Sequence, residues 1–226
     1  ALETGFWQGE SAVLAGDGRE VPVSQLILAH FDDRGCPERL STLMRDISER
    51  KRLEADLAYQ AYHDRLTGLA NRARMEQLLE EETDRATRYE DAFALVLLDV
   101  DDFKAINDTW GHAGGDQVLQ QLAGLIPGQL RRSDSVARWG GEEFMLLLPH
   151  TPLSGARAQA ERLRGVIETN PFEPVGRVTV SGGVAVWRPG EARRDLIRRA
   201  DDALYRAKHA GRNRVEVDAP APREAG

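Results

Sequence analysis

Alternating helices and strands with one hairpin among them predict an α/β (α+β) sandwich on a mixed sheet, from about residue 64 to 217. Three observations carry this. The apolar run Phe93 to Leu98 closes on the acidic cluster Asp99-Val100-Asp101-Asp102. Gly140-Gly141 separates two hydrophobic runs and is followed at once by Glu142 and Glu143. Glycine reaches positive φ without a Cβ clash, so this pair reads as a tight hairpin turn. Amphipathic stretches of helical period fill the spaces between the strands.

In chain order, the first 46 residues are turn-rich and strand-like. Phe6-Trp7, Glu20 to Val23, Leu26 to His30 and Leu40 to Arg45 are the strand candidates, and Gly16-Asp17-Gly18 and Asp32-Asp33-Arg34-Gly35 punctuate them. This predicts an antiparallel sheet too short to bury a core of its own. Residues 47–63 are charged and helical, with Leu53, Leu57 and Ala61 one turn apart. That spacing fits either a two-helix seam or a solvated connector.

Beyond this connector, helices are predicted over Arg72 to Arg88, Asp116 to Leu125, Leu153 to Thr169 and Asp195 to Ala210, the last stopped by Gly211. Strands are predicted over Ala92 to Val100, the hairpin Val136 to Leu148, and Val178 to Val186. The Ala/Pro-rich tail, residues 218–226, is expected to be disordered. The domain boundaries are therefore 1–46, 47–63, 64–217 and 218–226.

Composition narrows the function. The chain has 226 residues, 41% of them hydrophobic, so a packed core is expected. Its 37 acidic residues outnumber 30 basic ones, for a formal charge of -7. That balance argues against nonspecific nucleic-acid binding, which depends on lysine and arginine at phosphates. Cys36 is the only cysteine, which excludes an intrachain disulfide and fits a reducing compartment. No apolar run reaches membrane-spanning length and no signal peptide is visible. A cytoplasmic protein, or the cytoplasmic part of a longer membrane-anchored one, is expected.

If the two acidic strand ends pair, their carboxylates converge. Converging carboxylates repel unless a positive charge sits between them, and a hard divalent cation carrying nucleotide phosphates answers that need.

Four motifs give these features a family. Asp64-Arg65-Leu66-Thr67-Gly68-Leu69-Ala70-Asn71-Arg72, the stretch Asp99 to Asp116, the signature Gly140-Gly141-Glu142-Glu143-Phe144, and Tyr205 to Asn213 occur in that order. Together they resemble the GGDEF family of diguanylate cyclases, across about two-thirds of the chain. The upstream part, with Gly5 to Glu10 and Arg45 to Lys51, resembles the C-terminal half of a PAS sensor domain.

The resemblance implies a nucleotidyl-cyclase or polymerase-palm-like mixed sheet flanked by helices. It implies a homodimer that joins two GTP into cyclic di-GMP, with a PAS-type sheet fragment and connector helix as the input. Asp99 and Glu142, with the Val100 carbonyl and Glu143 as further candidates, would hold Mg²⁺ or Mn²⁺. Glu143 is the candidate for activating the attacking hydroxyl. Asn107 and Asp116 match the guanine-reading pair: guanine offers N1–H and N2–H₂ donors to a carboxylate, and adenine has no donor at N1.

Lys208 and Arg212 match triphosphate ligands. The backbone amides of Asp102, Phe103 and Lys104 would cradle phosphates, and Gly140 and Gly141 would let substrate approach the backbone. His112 falls among the candidate GTP-binding residues; it could be a proton shuttle or a metal ligand, and a structural hydrogen bond that stabilises the loop is the favoured reading. Arg131 and Asp134 fit the family's RxxD inhibitory site for cyclic di-GMP, with Arg162 as a secondary contact. The alternative reading is a receptor that binds cyclic di-GMP without making it.

Overall fold

The computed structural model describes residues 1–89 and 91–218. The chain forms two units, one ending at Tyr59 and one beginning at Gln60. The first holds β1 (Phe6–Leu14), β2 (Glu20–Phe31) and β3 (Pro37–Asp46), paired antiparallel in that order. Sequence reading split β2 in two; the structure runs it straight through Ser24-Gln25. Cross-strand bonds explain this: Gln25 Oε1 accepts from Ser11 Oγ at 2.8 Å and Gln25 Nε2 donates to Thr42 Oγ1 at 3.0 Å. Phe6, Leu14, Leu40 and Leu43 stay exposed, so the sheet has little core of its own, as its length predicted.

The helix α1 (Ser48–Tyr62) begins where Asp46 Oδ1 accepts the Ser48 amide at 2.7 Å. Leu53 and Leu57 are exposed along it.

The second unit contains α2 (Arg72–Tyr89), β4 (Phe93–Val100), α3 (Phe103–Leu125), β5 (Ser135–Gly140), β6 (Glu143–Pro149) and α4 (Leu153–Thr169). It continues with β7 (Pro171–Phe172), β8 (Gly176–Arg177), β9 (Val180–Val186), α5 (Arg193–His209) and β10 (Val215–Val217). Five strands make the mixed sheet, in the order β10-β9-β4-β6-β5. Only β10 and β9 are parallel; β9, β4, β6 and β5 alternate in direction.

All eight residues of β4 are buried, because it is the middle strand and both its faces are covered. Its alternate side chains serve two cores. Ala94, Val96, Leu98 and Val100 pack with Val118 and Leu122 of α3 and Ala160 and Leu163 of α4. Phe93, Leu95 and Leu97 pack with Met75 and Leu79 of α2 and Leu196 and Leu204 of α5. Period-two burial on both faces is what a continuous apolar run looks like in a central strand.

Gly183 on β9 lets α5 come close. A Cβ there would lie 2.1 Å from the Ala200 carbonyl oxygen and 2.3 Å from the Leu204 amide nitrogen. This contact brings the last turn of α5 toward the sheet end where the acidic clusters meet.

Three expectations need correction. The helix expected from Asp116 starts at Phe103, with a non-helical break at Gly111 (φ 70°, ψ 170°) in the middle. Asn107 is therefore helical. The strand β10 and the short β7–β8 pair lacked any sequence signal of sufficient length. Asp218 belongs to the folded unit and not to a tail: its Oδ2 accepts from Arg188 at 2.7 Å and Arg199 at 2.6 Å, and its amide donates to the Val184 carbonyl at 2.7 Å. The rest of the expected tail lies outside the described residues.

Candidate active site

The ladder between β4 and β6 sets Asp99 directly opposite Glu143, and β9 sets Ser181 opposite Asp99 on the other side. Asp99 is only 4% exposed. Its Oδ2 takes an ion pair from Lys208 Nζ at 2.6 Å. Its Oδ1 is buried without a hydrogen-bond partner among the described residues. Burial pushes the Asp99 carboxyl above its ordinary pKa, Lys208 opposes this, and the charges of Glu142 and Asp101 add to it. Glu143 is raised in the same direction by burial and then by Asp99 and Asp201. The hairpin turn places Gly141 at φ 46° and leaves Glu142 half-buried beside this pair. The Glu142 carbonyl accepts the Val100 amide at 3.4 Å.

Among the described residues, no three carboxylate, imidazole or thiolate side chains form a closed metal cage. The site is instead a pair of facing acids with one lysine.

Asp102 begins α3 in a left-handed conformation, φ 52°. Its carboxylate pairs with Arg212 Nε at 3.2 Å. Asp102 and Lys104 are exposed and Phe103 is half-buried. Past the Gly111 break, Gly115 packs against Asn107: a Cβ on Gly115 would sit 2.1 Å from Asn107 Oδ1. The amide of Asn107 is thus seated on the residue next to Asp116, whose side chain is exposed. His112 is exposed just after the break and makes no ring hydrogen bond among the described residues. The loop-stabilising bond expected of His112 is not seen among the described residues.

The signature turn is held from behind. Arg138 Nε donates to the Gly141 carbonyl at 2.9 Å, and its Nη1 reaches both oxygens of Asp64 at 3.1 and 3.2 Å. Burial opposes ionisation of Asp64, but bonds from Thr67 and Arg138 outweigh it and hold the carboxyl below its usual range. The segment that opens the unit therefore grips the hairpin that carries Glu142 and Glu143.

At the other end of the hairpin, Arg131 and Asp134 share one turn. The Arg131 amide donates to Asp134 Oδ2 at 2.9 Å, and the Arg131 guanidinium is exposed. Arg162 on α4 donates to the Gln129 carbonyl at 2.6 Å and to Gln159 Oε1 at 2.6 Å. It lies near the same turn with its guanidinium already engaged.

Sequence reasoning missed the supporting residues. Arg138 precedes the paired glycines, Asp101 sits inside the acidic cluster, and Asn213 ends the last motif. Their positions in motifs were a signal; their partners were not readable.

Comparison with known proteins places this geometry. The family model "Diguanylate cyclase, GGDEF domain" matches residues 61–214. The diguanylate cyclase DgcM of Escherichia coli K12 is 45% identical over 173 residues, 76% of this chain and 42% of that protein. The chain spans under half the length of the curated relatives it matches. The coiled coil and GGDEF domain of DgcB from Caulobacter crescentus, solved in complex with c-di-GMP, superposes with a TM-score of 0.70 at 35% identity. That match covers 75% of this chain and 94% of that one. The active GGEEF domain of a diguanylate cyclase from Vibrio cholerae gives 0.64 at 34% identity, covering 68% and 99% respectively. Its sheet order, its facing acids and its relatives agree: this chain belongs to the diguanylate cyclase GGDEF family.

Proposed function

We propose that this chain condenses two GTP into cyclic di-GMP and two pyrophosphates, as one half of a homodimeric active site. The observation that carries the reading is Asp99: a buried carboxylate with one oxygen on Lys208, the other unpartnered, and a second acid directly opposite. Buried polar atoms without partners are rare, and a cation held here would satisfy this one. The relatives named above, one of them an active GGEEF domain, support the same reaction.

The donor set suits a hard divalent cation: Asp99, Glu142 and the Val100 carbonyl would hold magnesium or manganese, with Glu143 as a further ligand. Such an ion supplies Lewis-acid polarisation of the α-phosphate and neutralises the triphosphate. The protein's own groups do the rest. Asn107 and Asp116 read guanine. Lys208, Arg212 and the amides of Asp102, Phe103 and Lys104 hold the phosphates. Glu143 takes the proton of the attacking 3′-hydroxyl as general base. That hydroxyl comes from the nucleotide on a second copy, so orientation of two subunits is part of the catalysis.

Arg131 and Asp134 bind product and inhibit, with Arg162 steadying the adjoining turn. The upstream sheet is a PAS-type sensor fragment, and α1 passes its state onward by setting how two catalytic units face each other. The test is direct: purified protein, stripped of bound nucleotide, is given GTP and magnesium, and the product is weighed by mass spectrometry. Cyclic di-GMP supports the proposal; binding of cyclic di-GMP without any turnover replaces it with the receptor reading.

A further inference from the structure

The loop after α5 is held more firmly than a chain reversal requires. Gly211 (φ 109°) already ends the helix, yet Arg212 (φ 58°) and Asn213 (φ 46°) follow it in left-handed conformations that non-glycine residues adopt reluctantly. Asn213 is bound through its backbone amide and through both polar atoms of its side chain. Its amide donates to Asp101 Oδ2 at 3.0 Å. Its Oδ1 accepts from Arg164 Nη1 at 2.8 Å, and its Nδ2 donates to Glu168 Oε1 at 2.9 Å. A cation on one side and an anion on the other define which way this amide points.

Each of these partners is anchored in turn. Asp101, 6% exposed, also accepts from Thr179 Oγ1 at 2.8 Å and Ser181 Oγ at 2.6 Å. Arg164 bonds Glu161 at 2.8 Å and Glu168 at 2.7 Å. Arg164, Arg177 and Asn213 together hold the Glu168 carboxyl down at about 2. Asp101 is moreover the residue before Asp102, whose carboxylate receives Arg212. One buried carboxylate thus fixes both sides of the Arg212–Asp102 contact.

We propose that Asn213, gripped by Asp101 beneath it and by Arg164 and Glu168 of α4 beside it, is a positioning residue that aims Arg212 at the nucleotide's triphosphate. This rests on the reading of Arg212 as a triphosphate ligand. Arginine has many rotamers, and holding its backbone in advance removes part of the ordering cost of binding. Arg164 and Glu168 lie outside all four motifs, so this assigns a ligand-binding task to a helix on the far side of the loop.

The experiment measures binding, so it does not depend on turnover. The full chain is titrated calorimetrically with magnesium and inorganic triphosphate, and separately with guanosine. Asn213→Gly keeps the positive φ and the amide donor but removes the side-chain clamp. It is expected to weaken triphosphate binding roughly three- to tenfold and leave guanosine unchanged. Arg164→Gln and Glu168→Gln, which leave the loop backbone untouched, should do the same to a smaller degree. Arg212→Ala should weaken triphosphate binding at least as much, and adding Asn213→Gly to it should cost nothing further. If Arg212→Ala has no effect, the reading of Arg212 itself fails. If Arg212→Ala weakens binding while the Asn213, Arg164 and Glu168 variants do not, or if the double variant is additive, the clamp is overturned. Equal losses for guanosine and triphosphate would show a merely structural role and overturn it too.

Discussion

Asp99 and Glu143 stand opposite each other across the β4–β6 ladder, two acids on adjacent strands with one lysine, Lys208, bonded to the more buried of them. By itself this is an unfavourable arrangement. Burial raises the proton affinity of both carboxyls, and each adds to the effect on its neighbour or suffers it. Functional sites commonly keep such strain because the ligand relieves it.

Replacing Glu143 by Gln should therefore do two opposite things. Turnover should fall by about 10²-fold or more, the usual worth of a positioned acid–base group. Thermal stability near neutral pH should rise. The sign follows from linkage: burial and the neighbouring acids hold the folded Glu143 carboxyl above its ordinary range, so its favourable contribution is present in acid and is lost as pH rises through the folded pKa. The stability gain of Glu143→Gln should be seen in melting curves at pH 7.5 and should disappear at pH 4. A variant that melts lower at pH 7.5 would show that Glu143 is structurally required.

Lys208→Met removes the only side-chain ion pair of Asp99 among the described residues. A buried charged acceptor left alone costs about 1–3 kcal/mol or more. The loss should shrink in acid, where a protonated Asp99 needs no counter-charge. Combining it with Asp99→Asn should recover most of the stability, since the buried charge is then gone. Denaturant titration of the two single variants and the double variant measures this; additive losses would mean the pair is not coupled.

Gly115→Ala should change recognition and spare the fold. The new methyl group would meet Asn107 Oδ1, the far end of a side chain that can move, and alanine favours a helix over glycine. The GTP KM should rise by roughly 5- to 150-fold, the equivalent of the ~1–3 kcal/mol attached to a displaced hydrogen-bonding group, and preference for GTP over ATP should narrow. Steady-state kinetics with both nucleotides, beside a melting curve, separates this from general destabilisation.

Arg131→Ala should relieve product inhibition without altering the initial rate. Its guanidinium is exposed, and the turn it belongs to is closed by its backbone amide on Asp134, which the substitution leaves in place. Initial rates measured with increasing cyclic di-GMP should lose their dependence on product. Retained sensitivity would place the inhibitory site elsewhere.

Much of this molecule was legible from residue order alone, for physical reasons that can be named. The helices α2, α4 and α5 lie within two residues of their expected bounds because each has an apolar stripe facing the sheet. The strand β4 announced itself as an unbroken apolar run because it is covered on both faces. That Asp99 and Glu143 meet was legible because acids at the ends of strands that pair are brought together. The early start of α3 was hidden by its glycine break, and β10 by its three-residue length.

The identity of partners is another matter. Lys208 on Asp99, Arg138 on both Asp64 and Gly141, and Arg164 with Glu168 around Asn213 join residues far apart in the chain. Local sequence carries periodicity and turn chemistry, which decide elements and the chemical types at their ends. Which charge neutralises which, and which side chain holds a loop in an uncomfortable conformation, depends on how helices settle against the sheet. Gly183 admitting α5 to the sheet is one such settlement, and only the folded chain decides it.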